Sequence, residues 1–501
     1  MQEKKEQGSG TPPVPTGGFS SSLLENLVVF RRAFQDSIDF VQREFSLGET
    51  RAAILSVEGL IDKKLITQGI LRPILEAPIL QLDGDAKMRY IRDQVLAMSD
   101  QMQVGTFAEA MDKLMSGFAV LAMDGCDFMI AFGVQGFSFR SIQEPSNEKA
   151  QRGSREGFVE PLQINISMIR RRMKNPNLMF ERMILGNQSQ TAVALCYLRG
   201  TVSPEIVQKI RSSLRQAQLE TVLAAGYLIP FLEQGGVFSS VGISERPDTV
   251  CGKVAEGRVA ILVDGVPNVL VVPHLFVENF QSFDDYANRP FYAAFTRWLK
   301  YLAFFIAIFL PGFFVAIGTF HPELLPEPLL VRIAEAEANT PFPLMAEAIV
   351  LHFMYEIMRE AGLRVPSNLT HAVSIVGALV IGETAVNAGL IGGPTLLIIA
   401  MTAIAGYVVP KLYEPIAILR LVFIIVGGML GIWGILLCFG GVLLNIASES
   451  AYRIPFTAPV SPFSLRDMRD VLIRASWKIL GKNPEPVQNM PGSNVRGRRK
   501  P

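Results

Sequence analysis

The stretch "WLKYLAFFIAIFLPGFFVAIGTF", residues 298–320, decides how the chain is read. At 1.5 Å per helical residue it is long enough to cross about 30 Å of hydrocarbon, and Pro311 inside it is expected to kink the helix. Working outward, apolar runs continue at 370–391, 394–412 and 416–446, the last long enough to tilt strongly or to break near Gly427 and Gly428. Everything before about Arg289 is mixed and polar. The 501 residues therefore divide into a soluble first part and a helical transmembrane part over 291–447, and the whole-chain charge of +1 describes neither. Arg289, Arg297 and Lys300 precede the first span and the acidic "HPELLPEP" (321–328) follows it, which places the first part on the cytoplasmic side. The absence of a basic, apolar leader gives the same expectation for the amino terminus. Arg453, Arg466, Arg469, Arg474, Lys478, Lys482 and the closing "RGRRK" make the other end basic too, so both termini are expected in the cytoplasm and the crossings even in number.

Residues 1–22 are rich in Gly, Pro and Ser, without a period that could bury a face, and are expected to be disordered, as is the basic tail 483–501. Leu23, Leu27, Phe30, Phe34, Ile38, Val41 and Phe45 recur at helical spacing and predict one amphipathic helix ending near Gly48. Strand-like runs follow: "AAILSV" (52–57), "FMIAFG" (128–133), "FSFRSI" (137–142), "TAVALCYL" (191–198), "RVAILVDG" (258–265) and "NVLVVP" (268–273). Helical patterns fit 157–174, 204–226 and 247–256, and Gln135-Gly136 and Gly265-Val266-Pro267 look like hairpin connections. The mixture predicts a cytoplasmic α/β (α+β) domain of two lobes over 23–290. In "SERPD" (244–248) Pro247 disfavours helix at Arg246 while Asp248 can cap the helix that follows, leaving Arg246 to pair with a carboxylate across the lobes as a structural clamp. Asp264 in "DGVP" is expected to bond its own turn. Residues 448–482 form a cytoplasmic amphipathic segment. Within it "SLRDMRDVLIRASWKIL" (464–480) aligns Leu465, Met468, Leu472, Ala475 and Ile479 on one helical face, to lie on the membrane or against the soluble domain.

"ALVIGETAVNAG" (378–389) places a carboxylate inside an apolar run. At 100° per residue Val376, Val380, Glu383 and Asn387 share a sector, and Ala378, Gly382, Ala385 and Gly389 form a small-residue ridge on the other side. Small residues at this spacing let helices approach closely in lipid. A carboxylate at mid-span costs about 2.5–3.5 kcal/mol on insertion scales, so Glu383 should face protein or water. Several such helices in a ring would make a cation-favouring constriction that Val side chains can gate by dewetting. The alternative is a structural Glu383, neutral or paired with an arginine such as Arg420. In 343–361, His352, Glu356, Arg359 and Glu360 form a polar stripe on an interfacial helix or short span, where Glu356 and Arg359 can pair locally.

Chemistry of other kinds finds no support in the motifs. Cys126, Cys196, Cys251 and Cys438 lie far apart, the four histidines are scattered, and no phosphate loop, HExxH or GxSxG occurs, so neither a metal, a cofactor nor an enzymatic activity is expected. "IRRRMKNP" (169–176) is basic, but without interleaved aromatics it reads as a solvated or membrane-facing helix and not as a nucleic-acid surface.

Five stretches together resemble the A-subunit family of bacterial spore germinant receptors (GerA type), which includes the stage V sporulation protein AF branch. They are "REGFVEPLQINISMIRRRMKNPNL" (155–178), "ERPDTVCGKVAEGRVAILVDGVPNVLVVP" (245–273), "FDDY" (283–286), "REAGLRVP" (359–366) and "IVGALVIGETAVNAGL" (375–390). The resemblance implies a cytoplasmic domain of two α/β lobes, a membrane domain, and assembly into a homo-oligomeric ring that conducts ions. It also implies a transporter-like B subunit that senses nutrient and a lipoprotein C subunit, in the inner spore membrane. Where many relatives resemble "IGQAAV", this chain has "IGETAV" (381–386), so the role of Glu383 rests on the residues and not on the resemblance. The favoured expectation is a nutrient-gated channel for monovalent cations. Two alternatives stand beside it, a membrane scaffold of the germination machinery and an accessory subunit of dipicolinate release.

Overall fold

The computed structural model describes residues 17–35, 37–78, 82–136, 144–145, 148, 150–364, 382–481 and 486–495. Helix α1 (Leu23–Phe34) buries Leu23, Leu27, Phe30 and Phe34 at helical spacing. The helix expected to run on to Gly48 stops there. Gln35 takes a positive φ, and residues 40–47 become strand β1 (Phe40–Leu47), paired antiparallel with β2 (Thr50–Val57) from Phe40 opposite Val57 to Leu47 opposite Thr50. The period of Ile38, Val41 and Phe45 is compatible with a helix, but the partner strand and the turn at Gly48 decide the outcome, as tertiary pairing often does over local pattern.

β3 (Gln101–Val104), β4 (Phe118–Met123) and β5 (Met129–Gly133) complete an antiparallel sheet of order β1-β2-β4-β5-β3, with helix α2 (Phe107–Met115) between β3 and β4. After helix α3 (Leu162–Arg172) the second lobe repeats this plan. It comprises β6 (Leu178–Leu185), β7 (Thr191–Leu198), α4 (Pro204–Gln216), β8 (Gly242–Ser244), α5 (Pro247–Ala255), β9 (Val259–Val263) and β10 (Val269–Val272), in the order β6-β7-β9-β10-β8. Five of the strand runs read from the sequence lie in this domain. "FSFRSI" falls outside the described residues, and Gln135 bridges to Ile61.

The duplication extends to single hydrogen bonds. Asn26 and Asn165 are buried and each clasps the backbone six residues earlier: Ser20 N to Asn26 Oδ1 at 2.9 Å and Asn26 Nδ2 to Ser20 O at 2.6 Å, Val159 N to Asn165 Oδ1 at 2.9 Å and Asn165 Nδ2 to Val159 O at 2.5 Å. Asp124 accepts from Leu23 N and Asp264 from Leu162 N, both at 2.9 Å, so each Asp-Gly turn between the last sheet-core strands caps the first helix of its own lobe. Asp264 therefore bonds a distant helix end and not its own turn. The lobes meet through Arg170, which is fully buried. Its Nε donates to Asp39 Oδ2 at 2.7 Å and its Nη2 to Asp39 Oδ1 at 3.0 Å, beside a backbone bond from Ile38 N to Phe180 O at 3.0 Å. The basic run 169–176 is thus no solvated face: Arg170 joins the lobes, and Arg171 and Arg172 pair with Glu156.

The carboxyl-terminal half is helical: α6 (Pro290–Phe320), α7 (Glu327–Ala338), α8 (Leu344–Arg364), the short α9 (Gly382–Asn387), α10 (Gly393–Val408) and α11 (Tyr413–Ser448). Helix α6 runs unbroken through Pro311. Helix α11 does break, at Gly431 (φ 64°, ψ −153°) and not at Gly427-Gly428. There it reverses. Phe309 of α6 touches both Phe423 and Phe439, with ring centroids 4.6 and 5.1 Å away, which two positions so far apart on a straight helix could not do. Residues 413–430 and 431–448 are two antiparallel arms, each about 27 Å long. Among the described residues, α6 and 410–448 are long and apolar enough to cross a membrane, and α10 is a shorter apolar helix.

After α11 the chain returns to the second lobe. A small hairpin (Ser450–Ala451 with Ile454–Pro455) is followed by irregular backbone, with turns of helix among the described residues at Asp467–Asp470, Trp477–Leu480 and Val487–Asn489. The continuous amphipathic helix expected over 464–480 does not form, because Val471 is drawn into the lobe core and its neighbours bond the start of α6. The tail expected to be disordered is packed in part: Val487 and Val495 are buried in the core of the second lobe together with Ile454 and Ala458. Their apolar side chains outweigh the polar composition that suggested disorder.

Candidate functional site in the helical bundle

Arg420 is the one charged residue in the apolar run 416–446, and the fold buries it completely. Pro311 accounts for its position. A proline has no N–H, so the carbonyl of Ala307, four residues earlier in α6, loses its helical donor. Arg420 Nε supplies one at 2.9 Å. Its Nη2 lies 3.5 Å from Thr402 O on α10, and its Nη1 faces Glu356 Oε1 of α8 at 3.8 Å. The same side chain thus meets α6, α8 and α10 from α11. The approach depends on glycine, since a Cβ at Gly312 would strike the Phe423 carbonyl and one at Gly427 the Gly312 carbonyl.

Glu356 also accepts from the Tyr413 hydroxyl at 2.6 Å, and the Arg359 guanidinium lies 3.3 Å from the centre of the Tyr413 ring. His352 is buried one turn away from Glu356. The local Glu356–Arg359 pair is not made; both reach the start of α11 instead. Glu360 pairs with Arg364 at 2.7 Å on the exposed side. Four buried atoms here, His352 Nδ1, Tyr355 Oη, Glu356 Oε1 and Arg420 Nη1, have no hydrogen-bond partner among the described residues. Such an unsatisfied set inside apolar helices makes a polar interior that can take up water or rearrange.

Of the stripe read from the sequence, Val376, Val380 and Ala378 lie outside the described residues. Glu383 and Asn387 are on α9 and exposed, while Ala385 packs toward Leu351, Ile391 and Ile399 and Gly382 lies against Leu396. Gly389 takes φ 64° and ends this element, so it belongs to a turn and not to a helical ridge. Glu383 has no contact with Arg420, whose carboxylate partner is Glu356. Nearby, buried Glu347 of α8 caps α10, accepting from Gly392 N and from Thr395 Oγ1 at 2.8 Å.

A second cluster sits where the soluble lobes join α6. Arg297, fully buried, donates to Asp470 O at 2.6 Å, Asp470 Oδ1 at 3.1 Å and Val471 O at 3.3 Å, and pairs with Asp285 at 3.3 Å. Asp470 also accepts from the Tyr286 hydroxyl at 2.7 Å. Alongside lies a cavity of about 380 Å³ between the second lobe and residues 459–481 with Met490. At its wall burial alone would raise the Glu278 carboxyl, but Arg258, Lys253 and His274 outweigh it and hold the group well below the usual carboxylate range. In the soluble domain Arg246 is no link across the lobes. It pairs with Asp248 at 2.6 Å, donates to Glu148 O and Ser154 O, and stacks on Phe283, so it fastens the connecting segment to the second lobe. The clamp across the lobes is Arg170–Asp39.

A duplicated α/β domain fixed to one end of an apolar helical bundle with a buried arginine at its centre is a defined class of two-part protein. The sequence profile described as "Bacillus/Clostridium GerA spore germination protein" matches residues 29–486. The chain belongs to this family. It is 36% identical to spore germination protein KA of Bacillus subtilis (strain 168), covering 93% of this chain and 87% of that protein. With spore germination protein GerLA of Bacillus cereus it shares 31%, covering 93% and 96%. Among solved structures, the N-terminal domain of the A subunit of the Bacillus megaterium spore germinant receptor GerK3 aligns with 27% identity and a TM-score of 0.42, over 52% of this chain and 98% of that one.

Proposed function

We propose that this chain is the A-type subunit of a spore germination receptor and that several copies form a ring in the inner spore membrane. Nutrient binding at a transporter-like B subunit, with a lipoprotein C subunit in the same complex, shifts the ring from closed to open and releases monovalent cations. Both termini and the two lobes lie in the cytoplasm. The face carrying Val376, Val380, Glu383 and Asn387 lines the path, and the shift requires the partner to bind the two states with different affinity.

One observation carries this reading. Glu383 and Asn387 point away from the single chain while Ala385 points into it. A carboxylate facing lipid costs about 2.5–3.5 kcal/mol, so a second copy or water must cover that face. The large exposed apolar side chains of the bundle, Leu437 and Leu444 among them, suit a lipid surround.

The test is potassium flux from vesicles holding the full-length chain with its B and C partners. Wild type should conduct when nutrient is added, Val380→Ala should leak without it, and Glu383→Gln should lower cation preference. Oligomers that never conduct, with both variants behaving as wild type, would refute the channel and favour a scaffold.

A further inference from the structure

The returning segment leaves large apolar side chains uncovered. Phe463, Leu465, Ile473, Trp477 and Ile479 are 51–78% exposed, and Arg466, Arg469 and Lys478 among them are exposed as well. Its acidic Asp470 is turned inward to Arg297 and Tyr286, so the outward charge is mainly basic.

This segment is held at a defined height. Arg297, which binds Asp470 and Val471, is the residue before the apolar run that starts at Trp298, and Trp477 Nε1 donates to Tyr286 O at 3.1 Å. Phe291, Tyr292, Phe295 and Trp298 of α6 are uncovered at the same end. Large apolar and aromatic groups interleaved with arginine and lysine, fixed at the mouth of a span, suit the headgroup layer of a membrane.

We propose that residues 459–481 and the first turns of α6 form a docking surface for anionic phospholipid of the cytoplasmic leaflet. Arg466 and Arg469 hold the phosphate headgroups and Trp477 lies at the interface. The proposal rests on the membrane placement of α6 in the reading above and not on conduction.

The full-length protein carrying Trp298→Phe and Trp433→Phe keeps Trp477 as its one tryptophan. It is reconstituted in phosphatidylcholine vesicles containing a minority of phosphatidylglycerol, with acyl-chain bromine on one lipid or the other. Each arginine near an anionic leaflet is worth about a fivefold preference. Trp477 should therefore be quenched more strongly by the brominated anionic lipid at equal mole fraction. Arg466→Gln/Arg469→Gln and high salt should each abolish the difference. Equal quenching by both lipids, no quenching, or a preference that survives in Arg466→Gln/Arg469→Gln overturns the proposal. Quenching that falls as protein density rises assigns the face to a second copy and overturns it too. The readout needs no ion current, so loss of conduction leaves it intact.

Discussion

Replacing Arg420 with Met keeps the apolar stem and deletes the guanidinium. Two costs follow. Ala307 loses the donor 2.9 Å away, and residue 311, a proline, has no N–H to take its place. A buried carbonyl left so costs about 1–3 kcal/mol. Glu356 loses the cation 3.8 Å from Oε1. Breaking a tight buried pair costs about 3–5 kcal/mol, but this one is long, and Glu356 keeps the Tyr413 hydroxyl at 2.6 Å, so this contribution is nearer 2 kcal/mol. Arg420→Met should therefore lose roughly 3–5 kcal/mol. Pro311→Ala restores an N–H aimed at the Ala307 carbonyl, so in Pro311→Ala/Arg420→Met the first cost disappears. The double variant should be more stable than the sum of the single effects by about 1–3 kcal/mol. Reversible denaturant unfolding of the full-length protein in mild detergent, at all four corners of the cycle, measures this. Additivity within about 0.5 kcal/mol would refute the assignment of Arg420 to the carbonyl that Pro311 leaves open.

Three other outcomes are expected. Arg170→Met or Asp39→Leu alone should cost about 3–5 kcal/mol and speed hydrogen exchange at the Ile38 amide, whereas the pair together should recover much of the loss; equal losses for single and double variants would count against a compensated ion pair. Asp124→Ala and Asp264→Ala should each cost about 1 kcal/mol in the same unfolding assay, because the two carboxylates cap equivalent helices, and an effect at one site alone would break the proposed equivalence. Burial, with Glu233 nearby, pushes the Glu449 carboxyl from 4.5 up to about 7. The folded state then binds more protons than the unfolded one between those values, so stability should fall as pH rises from about 4.5 to about 7, and Glu449→Gln should flatten that slope in a melting series.

Much of the soluble domain was legible because its strands are short apolar runs bounded by Gly, Asp and Pro, as "RVAILVDGVPNVLVVP" is. The first helix was misread beyond Phe34 because Ile38, Val41 and Phe45 satisfy a helical period while alternating with polar residues as a strand does; only the pairing with β2 separates the two. The duplication was legible in principle. "LLENLVVFRR" (23–32) and "LQINISMIRR" (162–171) share Leu, Asn and two arginines at one spacing, and "AMDG" (122–125) matches "LVDG" (262–265) at the turn. The bundle site was half visible. A lone arginine in an apolar run and a proline in another are both conspicuous, but no local pattern says that one serves the carbonyl the other exposes. The Arg297–Asp470 contact joins residues far apart in the chain and left no periodic trace.

The contacts divide the molecule into a stiff body and two joints. Helices α6 and α11 are tied at the bundle centre by Arg420 and the Gly312–Gly427 crossing, and at the lobe end by the returning segment, whose Asp470 and Val471 hold Arg297. The same segment places Ile454, Ala458, Val471 and Val487 in the core of the second lobe, while Lys411 pairs with Glu148 at 3.2 Å and Asn445 accepts from Val237 N. Moving this lobe against α6 or α11 would expose apolar side chains and strip buried charges of their partners, at several kcal/mol for each pair. Displacements of the second lobe must then carry α6 and α11 with them. The first lobe is held to the second by Arg170 with Asp39 and Ser37, by Arg199 on the Ala33 carbonyl and by the Ile38–Phe180 backbone bond. Helix α8 is fastened to the body by Leu344 and Ala348, which pack with Val315 and Ile424, by Glu347 at the start of α10 and by the Tyr413 hydroxyl on Glu356, while its Glu356–Arg420 contact is too long for a hydrogen bond. Relative motion costs least where polar contacts are incomplete, so within the bundle the level of Glu356 and Arg420 is where a shift of α8 forfeits least.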